Sequence, residues 1–308
     1  MGVGNVYTTI AAAIGGLGLL MILRRYMLNK KIKKLQSKVV VITGASSGVG
    51  EACAHAFYRC GCKVILCSRR RNELERVKEQ LMSLQLEIET YTPVVVPLDL
   101  ENTDDIRVRA IEILECFGRV DVLINNGGIS FRGTARETDI DIDKKIMNIN
   151  YFGAVALTKV LLNSMIFEGS GHIIAVSSIQ GRMAIPYRTA YTASKYALQA
   201  FFDSLRAEVA DNNINVTVVS PSYINTNLSL HAVCSDGSAH GVMDSTTAKG
   251  MSSKYVANQI VKAVVTKRKD LMLGPIDHKL AVHLRNLLPS LYFWIMKMRA
   301  RKGSKGED

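Results

Sequence analysis

The chain has 308 residues, enough for one large α/β domain with an appendage, and it contains no internal repeat or low-complexity segment. Of its formal net charge of +12, residues 1–38 carry +7 and residues 297–308 carry +3, which leaves about +2 for the remainder. Because the basic residues flank two apolar terminal segments, they suit anionic lipid head groups and do not mark a nucleic-acid-binding face.

The N-terminal segment is apolar and uncharged over residues 6–23, which is at the short end of the length needed to span a membrane. No basic segment precedes it, and a basic cluster begins at Arg24, which argues against cleavage as a signal peptide. We therefore predict an uncleaved membrane anchor with a basic linker over residues 1–37. The alternative is a buried helix of the globular domain.

Seven strand-like runs alternate with helical stretches over residues 38–275. This alternation predicts a single α/β domain with a doubly wound parallel sheet of the Rossmann type. The predicted strands lie at residues 38–43, 63–67, 94–98, 120–125, 172–177, 214–219 and 270–273.

A glycine-rich turn follows the first predicted strand and precedes a helical stretch at residues 51–57. Its segment from 44 to 50 contains Gly44, Ser46, Ser47, Gly48, Val49 and Gly50. Backbone N–H groups and the positive end of a helix bind phosphates, and glycines remove Cβ atoms that would block the approach. The pattern predicts a dinucleotide pyrophosphate site, with an ordinary tight turn as the alternative.

The end of the second predicted strand determines the choice of cofactor. NAD enzymes place a carboxylate there for the ribose 2′-hydroxyl, whereas this chain has Ser68, Arg69 and Arg70. An arginine can hold a 2′-phosphate through charge-assisted hydrogen bonds. We predict NADP(H), with Arg69 as the contact and NAD(H) as the alternative cofactor. The alternative for the arginines is that they are solvent-exposed residues at the start of the next helix.

Tyr191 and Lys195 are spaced for acid–base chemistry, because residues four apart on a helix share one face. A free phenol has a pKa of about 10, and a nearby ammonium group would lower it. Ser178 follows the predicted strand at 172–177 and can hold the substrate oxygen beside Tyr191. The alternative is an exposed helix start with a solvated lysine.

Taken in order, these segments resemble the short-chain dehydrogenase/reductase family over about residues 38–275. The spacing Gly44-x3-Gly48-x-Gly50 is typical of that family, as is Tyr-x-x-x-Lys preceded by a serine. Further matches are Asp99-Leu100, Asn125-Asn126-Gly127-Gly128, Asn150 within residues 148–153, and Pro221-Ser222 followed by Thr226.

The resemblance implies roles for four more residues. Asp99 would contact adenine, Asn126 would help to bind the cofactor, and Thr226 would lie near the nicotinamide amide. Asn150 would hold a water that links Lys195 to solvent, although a helix-kinking or capping asparagine is the alternative. With Tyr191, Lys195 and Ser178, Asn150 completes the predicted catalytic set.

Two positions depart from the family pattern. Gly127 replaces the usual alanine and gives the backbone more freedom. Ser222 replaces the usual glycine and would carry a modest strain if the position needs a positive φ angle. Neither change removes a reacting group.

The C-terminal extension at 276–308 contains an aromatic, apolar run at 287–296 that is too short to span a membrane and is followed by basic residues. An interfacial segment lying on the bilayer is one interpretation. Packing in the core or in a homodimer is an equal alternative.

The orientation of the membrane anchor stays open. The positive-inside rule places the residues after Arg24 in the cytosol. Some anchored members of the family instead hold the catalytic domain in the lumen of the endoplasmic reticulum. Asn215 and Asn227 begin glycosylation sequons, and only a lumenal domain would make Asn227 a usable acceptor.

The six cysteines show no paired extracellular spacing, and no His/Cys cluster has the spacing of a zinc site. We expect reduced thiols and no metal.

The segment after Thr226, up to about Lys254, is long and polar, and the family resemblance implies that it covers the substrate. Together these features predict a membrane-anchored oxidoreductase of the endoplasmic reticulum or another endomembrane. Its substrate would be a lipophilic carbonyl or alcohol, such as a steroid, a retinoid or an acyl-lipid ketone. Two alternatives are an NADPH-binding scaffold without turnover and a partner-docking protein.

Overall fold

The computed structural model describes the backbone of residues 3–303 and the side chains of residues 16, 18 and 20–301. The strands are β1 Val39–Thr43, β2 Lys63–Ser68, β3 Val94–Pro97, β4 Val122–Asn125, β5 Phe131–Arg132, β6 Gly171–Val176, β7 Ile214–Pro221, β8 Ile224–Asn225, β9 Val233–Cys234, β10 Met251–Ser252 and β11 Asp270–Leu273. The helices are α1 Val3–Lys33, α2 Gly48–Tyr58, α3 Arg71–Met82, α4 Thr103–Phe117, α5 Ile140–Met147, α6 Gly153–Phe167, α7 Thr189–Glu208, α8 Ser245–Ala248, α9 Ser253–Thr266, α10 Ile276–Leu287 and α11 Pro289–Gly303.

All seven predicted strands pair in one parallel sheet with the order β11-β7-β6-β4-β1-β2-β3. The predicted doubly wound fold is therefore confirmed. The strand order reverses between β1 and β4, and in such sheets ligands bind in the crevice at the carboxyl ends of the strands beside that reversal.

The sheet is buried on both faces because its strands are runs of β-branched residues. Along β1, Val40 and Ile42 pack into one apolar cluster with α2, α3 and α9, whereas Val39 and Val41 pack into the cluster on the opposite face with α4, α6 and α7. This alternation follows from the two-residue period of a strand.

One described helical stretch, Ile140–Phe167, is long and apolar enough to cross a membrane by length and composition. Half of its most apolar window is buried, and Leu157, Leu161 and Met165 lie in the core cluster beneath the sheet. Packing inside the domain accounts for its apolar character. A π-helical turn at Asn148–Phe152 separates its two parts, α5 and α6.

The backbone of α1 is helical across the predicted anchor, but most side chains of residues 6–23 lie outside the described part of the chain. Its described apolar side chains from Leu20 to Leu23 are between 50% and 67% exposed. The end of this segment joins the domain, because Ile32 and Leu35 pack into the core cluster that contains α9.

The C-terminal helices also pack onto the domain. Tyr292 of α11 is 1% exposed, and its hydroxyl donates to the carbonyl oxygen of Ala184. It shares an apolar cluster with Val282 of α10 and with Ile179 and Met183, which follow β6. Packing against the domain therefore buries one face of the C-terminal segment.

All six cysteines are free thiols, and Cys53, Cys62 and Cys67 are fully buried. Burial raises the pKa of the Cys53 thiol to about 12 and also raises the pKa values of Cys62 and Cys67. These three thiols are protonated at neutral pH.

Candidate active site

A cavity of about 570 Å³ lies at the carboxyl ends of β1, β4, β6 and β7. It brings together most of the predicted site residues: Gly44, Ser46, Ser47, Gly48, Val49, Arg69, Asp99, Asn126, Ser178, Tyr191, Lys195 and Thr226. Gly50 and Asn150 lie behind this lining. Among the described residues, no group of three His, Cys, Asp or Glu side chains is placed to hold a metal ion.

The glycine turn has the backbone shape that its sequence predicts. Gly44 and Gly48 have φ angles of +66° and +59°, in the left-handed region that favours glycine. A Cβ atom on Gly50 would lie 2.2 Å from the carbonyl oxygen of Gly44, so Gly50 allows α2 to pack tightly against the turn. Ser47 precedes α2 without a side-chain capping bond, and the open helix start fits a pyrophosphate.

The loop after β4 is tied to the end of β1. The Asn126 amide donates to the Thr43 carbonyl oxygen at 3.0 Å, and the Thr43 hydroxyl accepts from the backbone N–H groups of Asn126 and Gly127 at 3.0 and 2.9 Å. A Cβ atom on Gly127 would lie 2.5 Å from Leu100 Cδ1. In this chain Leu100 fills the space that the usual alanine methyl would need.

The two arginines after β2 behave differently. Arg69 is half exposed, and its Nε lies 4.0 Å from Asp99 Oδ1 at the rim of the cavity. Arg70 instead reaches the glycine turn and donates to the hydroxyls of Ser46 and Ser47 at 3.0 and 3.2 Å. Arg69 as the cofactor contact stays a prediction, whereas the contact of Arg70 with the turn was not predicted from the sequence. The two serine hydroxyls in the turn were the available signal.

Tyr191 and Ser178 meet inside the cavity, where they are 7% and 8% exposed. Burial raises the pKa of Tyr191, whereas a hydrogen bond from Ser178 and the positive charge of Arg132 act to lower it. The net direction is upward, opposite to the lowering expected from Lys195, because removal from water outweighs the nearby groups.

Lys195 lies beneath the ring of Tyr191, with its Nζ 5.7 Å from the ring centroid. The ammonium group donates to the Val176 carbonyl oxygen at 3.1 Å. Burial lowers the pKa of Lys195 to about 8, so its proton is held weakly near neutral pH.

Asn150 lies in the π-helical turn and is 1% exposed. Its Oδ1 accepts from the Ile129 N–H at 2.8 Å, and its Nδ2 donates to the Ile129 carbonyl oxygen and to the Ser194 hydroxyl, both at 2.9 Å. A Cβ atom on Gly128 would lie 2.9 Å from Asn150 Oδ1 and 3.5 Å from Lys195 Nζ. Gly128 therefore packs closely against Asn150, because a side chain at this position would crowd the amide oxygen.

Thr226 faces the glycine turn from the opposite side of the cavity. Its Cγ2 would lie 3.2 Å from a Cβ atom on Gly48, and its hydroxyl accepts weakly from the Leu228 N–H at 3.4 Å. The loop after β7 therefore lies close to the glycine turn.

Ser222 has no positive φ angle, so the strain considered for this position does not arise. Gly274 makes room for it, since a Cβ atom there would lie 2.7 Å from Ser222 Cβ. The Ser222 hydroxyl hydrogen-bonds to His278 Nδ1 at 2.5 Å, and the Arg299 guanidinium donates to the Tyr223 hydroxyl at 3.1 Å. The C-terminal helices thus contribute to the cavity wall, which the sequence did not predict.

The segment expected to cover the substrate is held by one carboxylate. Asp244 pairs with Arg132, lies 3.8 Å from the Arg188 guanidinium and lies 3.6 Å from His240. Burial acts to raise the pKa of Asp244, but the hydrogen bond and charge of Arg132, with the charge of Arg188, lower it overall. Asp244 is therefore ionised at neutral pH, and its ion pair with Arg132 holds the segment in place.

The family model described as short chain dehydrogenase matches residues 38–233. The chain belongs to the short-chain dehydrogenase/reductase family. Members of this family are NAD(P)-dependent oxidoreductases, and the chain is an enzyme of that class.

Curated relatives match the chain over most of its length. A "dehydrogenase/reductase SDR family protein 7-like" from Anopheles gambiae is 53% identical over 89% of this chain and 86% of its own. The "dehydrogenase/reductase SDR family member 7B" of Mus musculus is 48% identical over 100% of this chain and 95% of its own.

Solved structures share the fold. A short-chain dehydrogenase from Streptomyces avermitilis is 30% identical over 88% of this chain and 98% of its own, with a TM-score of 0.72. An alcohol dehydrogenase from the archaeon Thermococcus sibiricus, solved with 5-hydroxy-NADP, is 26% identical over 77% of this chain and 96% of its own, with a TM-score of 0.66. A nicotinamide cofactor is thus supported for this chain.

Proposed function

We propose that the chain transfers a hydride between NADP(H) and a lipophilic carbonyl or alcohol, with Tyr191 as the acid–base group. The observation that carries this proposal is the meeting of Tyr191 and Ser178 in a cavity that also contains the glycine turn. Ile179, Met183, Ile185 and Met296 supply apolar walls to the same cavity, which favours a lipophilic substrate.

In the reductive direction, Tyr191 gives its phenolic proton to the carbonyl oxygen. The raised pKa suits this role, because the buried phenol remains protonated at neutral pH. Ser178 Oγ accepts from the Gln180 N–H at 3.1 Å, and its own hydrogen, which bonds to Tyr191 in the structure, would turn to the substrate oxygen. When bound, the nicotinamide supplies the hydride.

Lys195 would return the proton to Tyr191. The lowered pKa of Lys195 makes its ammonium a ready donor. A water held by Asn150, as the resemblance implied, would resupply Lys195 with protons from solvent. In this role Lys195 acts through proton supply rather than through its charge alone.

NADP(H) is the proposed cofactor, with NAD(H) as the alternative. No carboxylate follows β2, and Arg69 and Arg70 flank the edge of the cavity beside Asp99 and Ser46. Two guanidinium groups there favour a 2′-phosphate over a hydroxyl.

We also propose that residues 1–37 anchor residues 38–275 to an endomembrane such as the endoplasmic reticulum. The described side chains from Leu20 to Leu23 are exposed and apolar, and such a row needs an apolar partner. Charge favours a cytosolic catalytic domain, with a lumenal domain as the alternative. Asn227 is exposed, so a gel shift of the cellular protein after glycosidase treatment would establish the lumenal orientation.

The test is a panel of lipid carbonyls assayed with NADPH and NADH on detergent-solubilised protein. Tyr191→Phe should abolish turnover while leaving NADPH affinity nearly intact, because only the reacting hydroxyl is lost. Tyr196→Phe, on the same helix and 37% exposed, is the matched control and should retain activity. An active Tyr191→Phe variant would contradict the proposed chemistry. NADPH binding without turnover across the panel would favour a scaffold.

A further inference from the structure

We propose that the hairpin of α10 and α11 seats on an anionic lipid bilayer and brings the cavity entrance to the membrane. The first observation is an outward stripe of exposed apolar side chains on α11. Leu291, Trp294, Ile295 and Met298 have the i, i+3, i+4, i+7 spacing of one helix face and are 44%, 60%, 37% and 40% exposed.

The neighbouring helix α10 also carries exposed apolar side chains. Ile276, Leu280 and Leu287 are 72%, 59% and 77% exposed, and Leu288 between the helices is 55% exposed. An apolar surface of this extent is unusual on a protein that meets only water, so it marks a docking surface.

The opposite face of α11 belongs to the cavity. Tyr292, Met296 and Arg299 are spaced by four and three residues; Tyr292 is buried, and the other two line the cavity. Ala281 and His278 of α10 line it as well. One hairpin therefore separates the cavity from the exposed stripe.

Charge identifies the occupant of the docking surface. Residues 276–301 contain five basic side chains and one acidic side chain, and the exposed Lys297 adjoins the stripe. A two-fold dimer through the same surface would bring these positive charges together. An anionic bilayer attracts them, and the exposed indole of Trp294 beside basic residues is suited to the lipid interface.

The consequence rests on the proposed lipophilic substrate: it would enter beside the hairpin without crossing water. The docking itself does not depend on turnover. A binding measurement therefore tests this inference separately from the proposed function.

Trp294 is the only tryptophan in the chain and lies on the stripe, so it is a native probe. The experiment reconstitutes the full chain, at a low protein-to-lipid ratio, into vesicles of phosphatidylcholine and phosphatidylserine, with and without brominated acyl chains. Because interfacial helices bury their apolar face roughly 5–10 Å deep, bromine should quench Trp294 emission by about half or more. A water-exposed spectrum without quenching would overturn the proposal.

The matched control moves the probe within the same anchored protein. Phe167→Trp in a Trp294→Phe background places the indole at the end of α6, where Phe167 is 89% exposed. This probe should remain unquenched. Equal quenching at both positions would overturn the proposal, because lipid contact would not be specific to the hairpin. A blue-shifted but unquenched Trp294 in a protein that sediments as a dimer would identify a second copy as the occupant and would also overturn it.

A charge variant tests the choice of lipid. Lys297→Glu should reduce Trp294 quenching in vesicles with phosphatidylserine and leave it unchanged in neutral vesicles. Quenching that is insensitive both to phosphatidylserine and to this substitution would contradict docking on an anionic bilayer.

A second variant tests substrate entry from the membrane. Leu291→Ser should raise the KM of a long-chain carbonyl in vesicles severalfold and leave the KM of a short soluble carbonyl unchanged. Equal effects on both substrates would argue against entry from the membrane.

Discussion

The side-chain amide of Asn150 donates a hydrogen bond to the hydroxyl of Ser194 at 2.9 Å, which joins the π-helical turn to α7. The Ser194 hydroxyl in turn donates to the backbone carbonyl of Tyr191 at 2.7 Å. Ser194 is fully buried and directly precedes Lys195. It therefore positions the predicted catalytic helix without touching the cavity.

Ser194→Ala should lower both stability and turnover. It leaves the Asn150 amide with one partner fewer in a buried site, which costs about 1–3 kcal/mol of unfolding free energy. The fall should appear in kcat with little change in cofactor affinity, and denaturant unfolding with steady-state kinetics measures both. Thr192→Val is the control, because the buried Thr192 hydroxyl has no hydrogen-bond partner among the described residues. Equal losses in the two variants would refute the positioning role.

Gly44 in the glycine turn and Gly118 after α4 have similar backbone conformations but different surroundings, so their substitutions should have different effects. Gly44 and Gly118 have φ angles of +66° and +73°, but only Gly44 is crowded, with Asn126 Nδ2 at 2.9 Å from an added Cβ atom. Gly118→Ala should cost about 1–2 kcal/mol from the left-handed backbone alone. Gly44→Ala should also abolish tight NADPH binding, as measured by fluorescence titration. Unchanged NADPH affinity in Gly44→Ala would show that the turn does not bind the cofactor.

Substitution of the arginines after β2 should alter cofactor preference. A charge-assisted hydrogen bond contributes about 1.5–3 kcal/mol, so removal of the arginine that binds the 2′-phosphate should raise the KM for NADPH roughly 10- to 100-fold. The KM for NADH should change little. Arg69→Ala and Arg70→Ala, assayed separately, would show which arginine acts. Arg71→Ala, at the start of α3, is the control. Parallel changes in KM for both cofactors would contradict the proposed preference for NADP(H).

The ion pairs of Asp244 with Arg132 and Arg188 predict an effect on substrate binding. Asp244→Asn leaves Arg132 and Arg188 facing each other with their counter-charge removed, in a site where all three side chains are at most 20% exposed. We expect the loop to open and the KM for substrate to rise about tenfold or more, since breaking a buried pair is costly. Asp236→Asn serves as the control because Asp236 is exposed and, within the described part of the chain, its carboxylate bonds only to Ser238. Faster proteolysis of the loop in Asp244→Asn alone would support the role of these ion pairs in holding the loop closed.

Acid stability should depend on His172. Burial and the charge of Lys267 lower the pKa of His172 to about 4, below an unfolded value of about 6.5. The unfolded state then binds more protons between these values, so stability is complete above pH 6.5 and falls as the pH drops towards 4. This shift corresponds to about 3 kcal/mol, which His172→Gln should remove from the pH dependence of unfolding. His283→Gln, at an exposed position on α10, should leave that dependence unchanged.

Local patterns predicted the sheet and the assembly of the cavity lining. The β-branched runs specify strands because a doubly wound sheet buries both faces, and the glycine spacing fixes a turn whose conformation depends on few neighbours. Tyr191 and Lys195 share a helix, so their proximity also follows from spacing. These features needed no knowledge of distant parts of the chain.

Contacts between distant segments were not predictable in this way. The choice between Arg69 and Arg70 depends on where α3 begins and on which side chain reaches the serines 23 to 24 residues earlier. The raised pKa of Tyr191 depends on burial by elements from the whole domain. The role of His278 and Arg299 in the cavity wall required the C-terminal helices to fold back, which no short-range pattern encodes.

The free thiols bear on which side of a membrane the proposed anchor would place the domain. The three fully buried cysteines are protonated and shielded, and the fold contains no cross-link that an oxidising or reducing compartment would have to make or break. Disulfide formation therefore gives the domain no reason to favour one side of a membrane over the other. Moving the lysines and arginines that follow the apolar segment to its other end should invert the topology of the proposed anchor. We expect the domain to fold equally well in the opposite compartment.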